Sequence, residues 1–116
     1  MSYDIIIRGD DAYQVCKTQD DIYRAIATVP EALINGPDHV LVGWPETGLL
    51  IEMDIEHLTA QGDLVDDGDH TRRNAVTLHI PYAFVDQSRE LAFDIALRIA
   101  HYLGWRVYDP QEGRYV

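Results

Sequence analysis

The clearest pattern along the chain lies in residues 49–57, where Leu49, Ile51, Met53 and Ile55 alternate with Glu52, Asp54 and Glu56. A period of two puts the apolar set on one face of a β-strand and the carboxylates on the other, so one face is buried and the other wet. Just before it, Val40, Val42 and Trp44 alternate with Leu41 and Gly43, and Pro45-Glu46-Thr47-Gly48 supplies a turn between two paired strands. Residues 75–82 repeat the pattern, with Val76, Leu78 and Ile80 facing one way and Thr77 and His79 the other. The β-branched run Ile5-Ile6-Ile7 predicts a first strand over 3–8. The turn signal Gly9-Asp10-Asp11 and a weak alternation over 12–16 then predict a first hairpin.

Two segments carry helical spacing instead. Thr18-Gln19-Asp20-Asp21 resembles a capping box with Asp in place of Glu, and Ile22, Tyr23, Ala25, Ile26 and Val29 follow. Pro30 disfavours continuation, and Asn35-Gly36-Pro37 ends the helical pattern. A longer helix is expected over 87–102, capped by Asp86 or Ser88, with Leu91, Ala92, Ile95, Ala96, Ile99, Ala100 and Leu103 as its stripe. Gly104 stands where a left-handed C-terminal cap belongs, and residues 105–108 read as a short last strand ended by Asp109-Pro110. Strands joined by tight turns favour an antiparallel sheet, and two amphipathic helices cover only one face of it. The expectation is one α+β domain over 1–116, with about five to six mainly antiparallel strands, two helices on one face, and Glu52, Asp54, Glu56, Thr77 and His79 on the other.

Charge changes the picture from a fold to a surface. The 116 residues hold 20 acids and 9 bases, a formal net charge of −11. Residues 25–71 contain ten of the acids and no Lys or Arg, so they account for a formal −10. No base close in sequence neutralises that segment, and a negative field of this kind steers a basic partner. It argues against nucleic-acid binding, where Lys and Arg supply most of the affinity. Eight of the nine bases are Arg, the cation better suited to bidentate pairing and interfaces. The single Cys16 excludes a disulfide framework and agrees with a reducing compartment. The start, Met1-Ser2-Tyr3-Asp4, has no export signal, and no apolar run approaches membrane length, so a cytoplasmic protein without a membrane partner is expected.

Catalytic and metal-binding constellations are weakly represented. The polar stretch 59–73 is long for a compact domain and marks a functional or mobile loop. Its Asp63, Asp66, Asp67, Asp69 and His70 invite a divalent cation. Counted as a calcium loop from Asp63, however, Val65 stands at position 3 and Asn74 at position 12 where acids belong. Cys16 is a nucleophile only with a His beside it, and a lone Cys more often packs as a small hydrophobe. The serines, Ser2 and Ser88, lie at the terminus and in a presumed cap. Glu52, Asp54 and Glu56, roughly 7 Å apart along one strand face, could serve as paired carboxylates, but a wet face offers no pocket to separate their pKa values. The histidines lack zinc-ligand spacing. No cofactor is expected.

The C-terminal run Leu103-Gly104-Trp105-Arg106-Val107-Tyr108-Asp109-Pro110-Gln111-Glu112-Gly113, entered from an Ala-rich amphipathic helix, resembles the ending of small acidic bacterial immunity proteins that accompany polymorphic or contact-dependent toxins. The resemblance covers about 25 residues and assigns no contact residues. It implies a cytoplasmic, non-enzymatic inhibitor that binds a toxin tightly. The expected function is therefore a protein-binding domain whose acidic surface takes a basic toxin domain, as a monomer or homodimer. Glu52, Asp54, Glu56, Asp63, Asp66, Asp67 and Asp69 are the candidate anionic contacts and Trp44 the candidate aromatic anchor. Two alternatives stand beside it: a small metal-binding domain or enzyme using loop 63–70, and a structural or assembly subunit.

Overall fold

A computed structural model describes residues 2–44, Glu46, 48–65 and 71–116. The chain runs β1 (Ser2–Arg8), α1 (Gln19–Ile26), β2 (Ala32–Ile34), β3 (His39–Trp44), β4 (Leu49–Glu56), β5 (Ala75–Pro81), a 3-10 turn (Tyr82–Phe84), α2 (Val85–Leu103), β6 (Arg106–Asp109) and β7 (Arg114–Tyr115). The strands form one sheet in the order β2-β3-β4-β5-β1-β6-β7, and every neighbouring pair is antiparallel. Among the described residues this is an α+β fold of seven strands, more than the five to six expected.

Both helices pack on one face of the sheet. Ile5 and Ile7 of β1, Val40 and Val42 of β3, Ile51 and Met53 of β4, and Leu78 and Ile80 of β5 are all fully buried beneath Ile22, Ala25 and Ile26 of α1 and Ala92, Ala96 and Ile99 of α2. Thr18 caps α1 as its sequence implies, its Oγ1 accepting from the Asp21 amide at 3.1 Å. Gly104 closes α2 at φ 70°, the left-handed conformation that Gly adopts without steric cost.

Four local expectations are corrected. Residues 12–16 form no second strand, because both edges of β1 are occupied, by β5 and by β6. Instead Asp10 Oδ1 accepts from the amides of Gln14 and Val15, and Tyr13 turns the chain at φ 57°. Residues 32–34, hidden under the tail of a helical pattern, form β2, and Gly36 at φ 141° turns the chain back into β3. α2 starts two residues early, from Phe84, with no side-chain cap. The 3-10 turn supplies its entry, Asp86 lies in the first turn, and Ser88 is buried inside the helix. Finally, the chain end continues into β7, where Gly113 takes φ 66° and Tyr115 pairs with Tyr108. No described helix is long and apolar enough to cross a membrane.

Candidate functional site

The face of the sheet turned away from the helices is the candidate site. Strand alternation places Ser2, Asp4, Ile6 and Arg8 of β1 there, with Leu50, Glu52, Asp54 and Glu56 of β4 and Thr77 and His79 of β5. Register brings the polar members together: Asp4 and Glu52 both lie directly opposite His79, and Thr77 lies opposite Asp54. The expected cluster of Glu52, Asp54, Glu56, Thr77 and His79 is thus assembled, and Asp4 joins it from the other neighbour of β5.

His79 is its centre. Nδ1 lies 2.8 Å from Asp4 Oδ1 and Nε2 lies 2.9 Å from Asp54 Oδ2, so one imidazole spans three strands. Ser2 Oγ donates to the same Asp4 oxygen at 2.6 Å, and Gln111 brackets the Asp4 backbone through both its N–H and its C=O. Burial disfavours charge on His79, but the hydrogen bonds and charges of Asp4 and Asp54 outweigh it and hold the pKa above its ordinary value. Burial pushes the Glu56 carboxyl up, the Thr77 hydroxyl donating to it at 2.6 Å pulls it back, and the negative charge of Asp54 adds to the rise. An open cavity of about 430 Å³ is lined by Ser2, Glu52, Asp54, His79 and Pro81. Both His79 nitrogens face carboxylates, which is the arrangement of a cross-strand ion bridge. A general base would keep one nitrogen free for substrate.

The flanks of this face differ. Toward β2, Leu33 lies opposite Leu41, and Leu41 lies opposite Glu52, so an apolar strip of Leu33, Leu41 and Leu50 borders the carboxylates. Leu33 is 65% exposed and Leu50 39%. Toward β7, the Arg8 guanidinium lies 4.2 Å from the Tyr108 ring centre, 5.0 Å from Tyr13 and 5.5 Å from Tyr115. It also donates to the Tyr13 and Tyr115 hydroxyls. That cation is enclosed by tyrosines and 8% exposed, so its charge is spent within the fold.

The remaining candidates separate. Trp44 shares the parity of Val40 and Val42 and packs against the core on the helix side. There it lines a cavity of about 160 Å³ with Val29, Leu91 and Ile95, so it cannot anchor a partner seated on the acidic face. Asp63 is exposed beyond β4, where its amide donates to Thr59 Oγ1 and its carbonyl accepts from the Thr59 amide. Asp66, Asp67 and Asp69, and with them most of the proposed cation loop, lie outside the described residues. Among the described residues no group of three or more His, Cys, Asp or Glu is placed to hold a metal ion.

The supposition that the middle segment stays unneutralised needs correction at Asp38. Its carboxylate takes the Arg73 guanidinium at 3.1 Å, with the Arg73 side chain only 6% exposed. Glu31 lies on the helix side, in the cavity with Trp44. Arg89, by contrast, stacks over Tyr3 and Phe93 and stays clear of the acidic face. Asp4 was hidden by its place in the first 24 residues, although the alternation of Ser2, Asp4, Ile6 and Arg8 against Ile5 and Ile7 carries the signal. Family models give no match to this chain, and neither do the curated proteins.

Proposed function

We propose that the protein is a non-enzymatic protein-binding domain, an immunity- or antitoxin-type inhibitor that holds a basic toxin domain against the open face of its sheet. The observation that carries this reading is the gathering of Asp4, Glu52, Asp54 and Glu56 from two strands around one histidine on the face no helix covers. A chain of formal charge −11 attracts a basic partner at long range, and the cluster supplies the short-range end of that field. The apolar strip of Leu33, Leu41 and Leu50 takes the anchoring part that Trp44 cannot, because it borders the carboxylates and exposes hydrocarbon to a partner. Inhibition then works by occlusion: steering, docking on a rigid sheet, and coverage of the toxin's own basic site.

The test is protection. Co-expression of this chain with a basic toxin domain that binds it is expected to restore growth, and the Glu52→Gln, Asp54→Asn, Glu56→Gln variant to protect less at equal expression. Growth restored equally by both chains rejects the acidic face as the binding surface.

A further inference from the structure

The double contact at His79 has a consequence that depends on proton count alone. A carboxylate is acceptor-only, so each of the two short contacts needs an N–H on the ring. The imidazolium has two such groups, and the neutral ring has one. We propose that His79 is a proton-gated clamp on the binding face: charged, it joins Asp4 of β1 to Asp54 of β4 across β5 and masks both carboxylates; neutral, it must release one of them to a basic partner. This rests on the docking reading above.

The surroundings of the ring favour that behaviour. From β1 it faces Asp4, whose Oδ1 also accepts from Ser2. From β4 it faces Glu52 directly and Asp54 through Nε2, with Glu56 further along the strand. On β5 itself the same-face neighbours, Thr77 and Pro81, are uncharged. The cation on this side of β1, Arg8, is enclosed by its tyrosines four residues from Asp4. Among the described residues the ring therefore has acids for charged neighbours, and losing its proton raises the negative charge of the face by one. The ring is 29% exposed and the two Asp side chains 41% and 43%, so protons and a partner both reach the clamp. The direction of its pKa agrees, since the two Asp groups overcome the burial that opposes charge.

The experiment is an NMR titration of the full chain from pH 5 to 9, with hexalysine as a basic probe. The proposal expects His79 to carry protons on both nitrogens in acid and to titrate above the ordinary 6.5. Hexalysine affinity should rise about two- to fivefold over the same step, the worth of one exposed ion pair. Asp4→Asn keeps an acceptor for the ring but removes one of the two charges, and should lower the midpoint, and His79→Gln should flatten the affinity profile. A ring that is neutral at pH 6, or a midpoint unmoved by Asp4→Asn, overturns the clamp. Hexalysine binding that ignores the His79 titration overturns the gating. A ring that titrates as expected while hexalysine binds at no pH supports the clamp and overturns the docking reading instead.

Discussion

Replacing Asn74 by Ala removes a side chain that ties two loops to the sheet at the start of β5. Asn74 is 1% exposed. Its Oδ1 accepts from the Leu58 amide at 2.8 Å, and its Nδ2 donates to the carbonyls of Leu58 and Tyr13, each at 2.8 Å. Those bonds hold the segment that follows β1 against the loop that follows β4, two stretches whose backbone pairing comes as isolated bridges, Lys17 with Arg73 and Leu58 with Leu64. Each bond contributes about 0.5–1.5 kcal/mol net, and a partner stranded without water costs more than the bond itself contributes. The three together set the loss at about 3 kcal/mol, a large share of the 5–15 kcal/mol typical of a domain. With a urea slope of about 2 kcal/mol/M, the midpoint of Asn74→Ala falls by about 1.5 M at unchanged slope. Hydrogen exchange at the Leu58 amide accelerates as well. Asn74→Asp is no rescue, because it turns a carboxylate oxygen toward two carbonyls. A loss below about 1 kcal/mol with the Leu58 amide still protected refutes the reasoning.

Gly104→Ala forces a Cβ into φ 70° with no neighbouring atom within 4 Å to clash, so the cost is the backbone's alone, about 1–2 kcal/mol, read by thermal unfolding. Glu56→Gln keeps the acceptor for Thr77 and removes a charge that burial opposes. Because the folded carboxyl holds its proton more tightly than the unfolded one, native Glu56 loses stability as pH rises from 4.5 through its raised pKa. The variant should therefore gain stability relative to the native chain above that range, and parallel stability–pH curves would contradict it. His79 has the same sign for the opposite reason: its raised pKa gives stability that is full below 6.5 and is lost as pH climbs through the folded value. His79→Gln should remove that decline from the unfolding midpoints, and a decline that persists in the variant contradicts the bridge.

The strands that carry the site were legible because they are half-buried. Residues 49–56 and 75–81 alternate, and alternation fixes which side chain meets water before any partner strand is known. Thr18 and Gly104 were legible for the same local reason, since caps are written within four residues. What sequence reasoning missed is non-local. Asp4 belongs to the site only because β1 inserts between β5 and β6, and nothing in residues 2–8 states that neighbour. The same insertion rules out the hairpin expected over 12–16. Aromatic character alone made Trp44 the candidate anchor, although its own alternation with Val40 and Val42 puts it beneath the helices. Asp38 finds Arg73 from 35 residues away, so a count of charges along the chain overstated the bare acid of the segment. Arg8 among Tyr13, Tyr108 and Tyr115 joins both ends of the chain and leaves no mark in either.

The central claim is that carboxylates on the uncovered face speed and hold a basic partner. Association rates with a basic partner domain, measured by stopped flow at about 0.05 and 0.5 M salt, test it most directly. The account predicts a fast rate at low salt that drops as the field is screened. For the Glu52→Gln, Asp54→Asn, Glu56→Gln variant it predicts a rate that has lost most of that salt dependence, with affinity weaker by at least the about two- to fivefold that the one exposed pair, at Glu52, is worth. Equal rates and equal salt slopes for the two chains would contradict it.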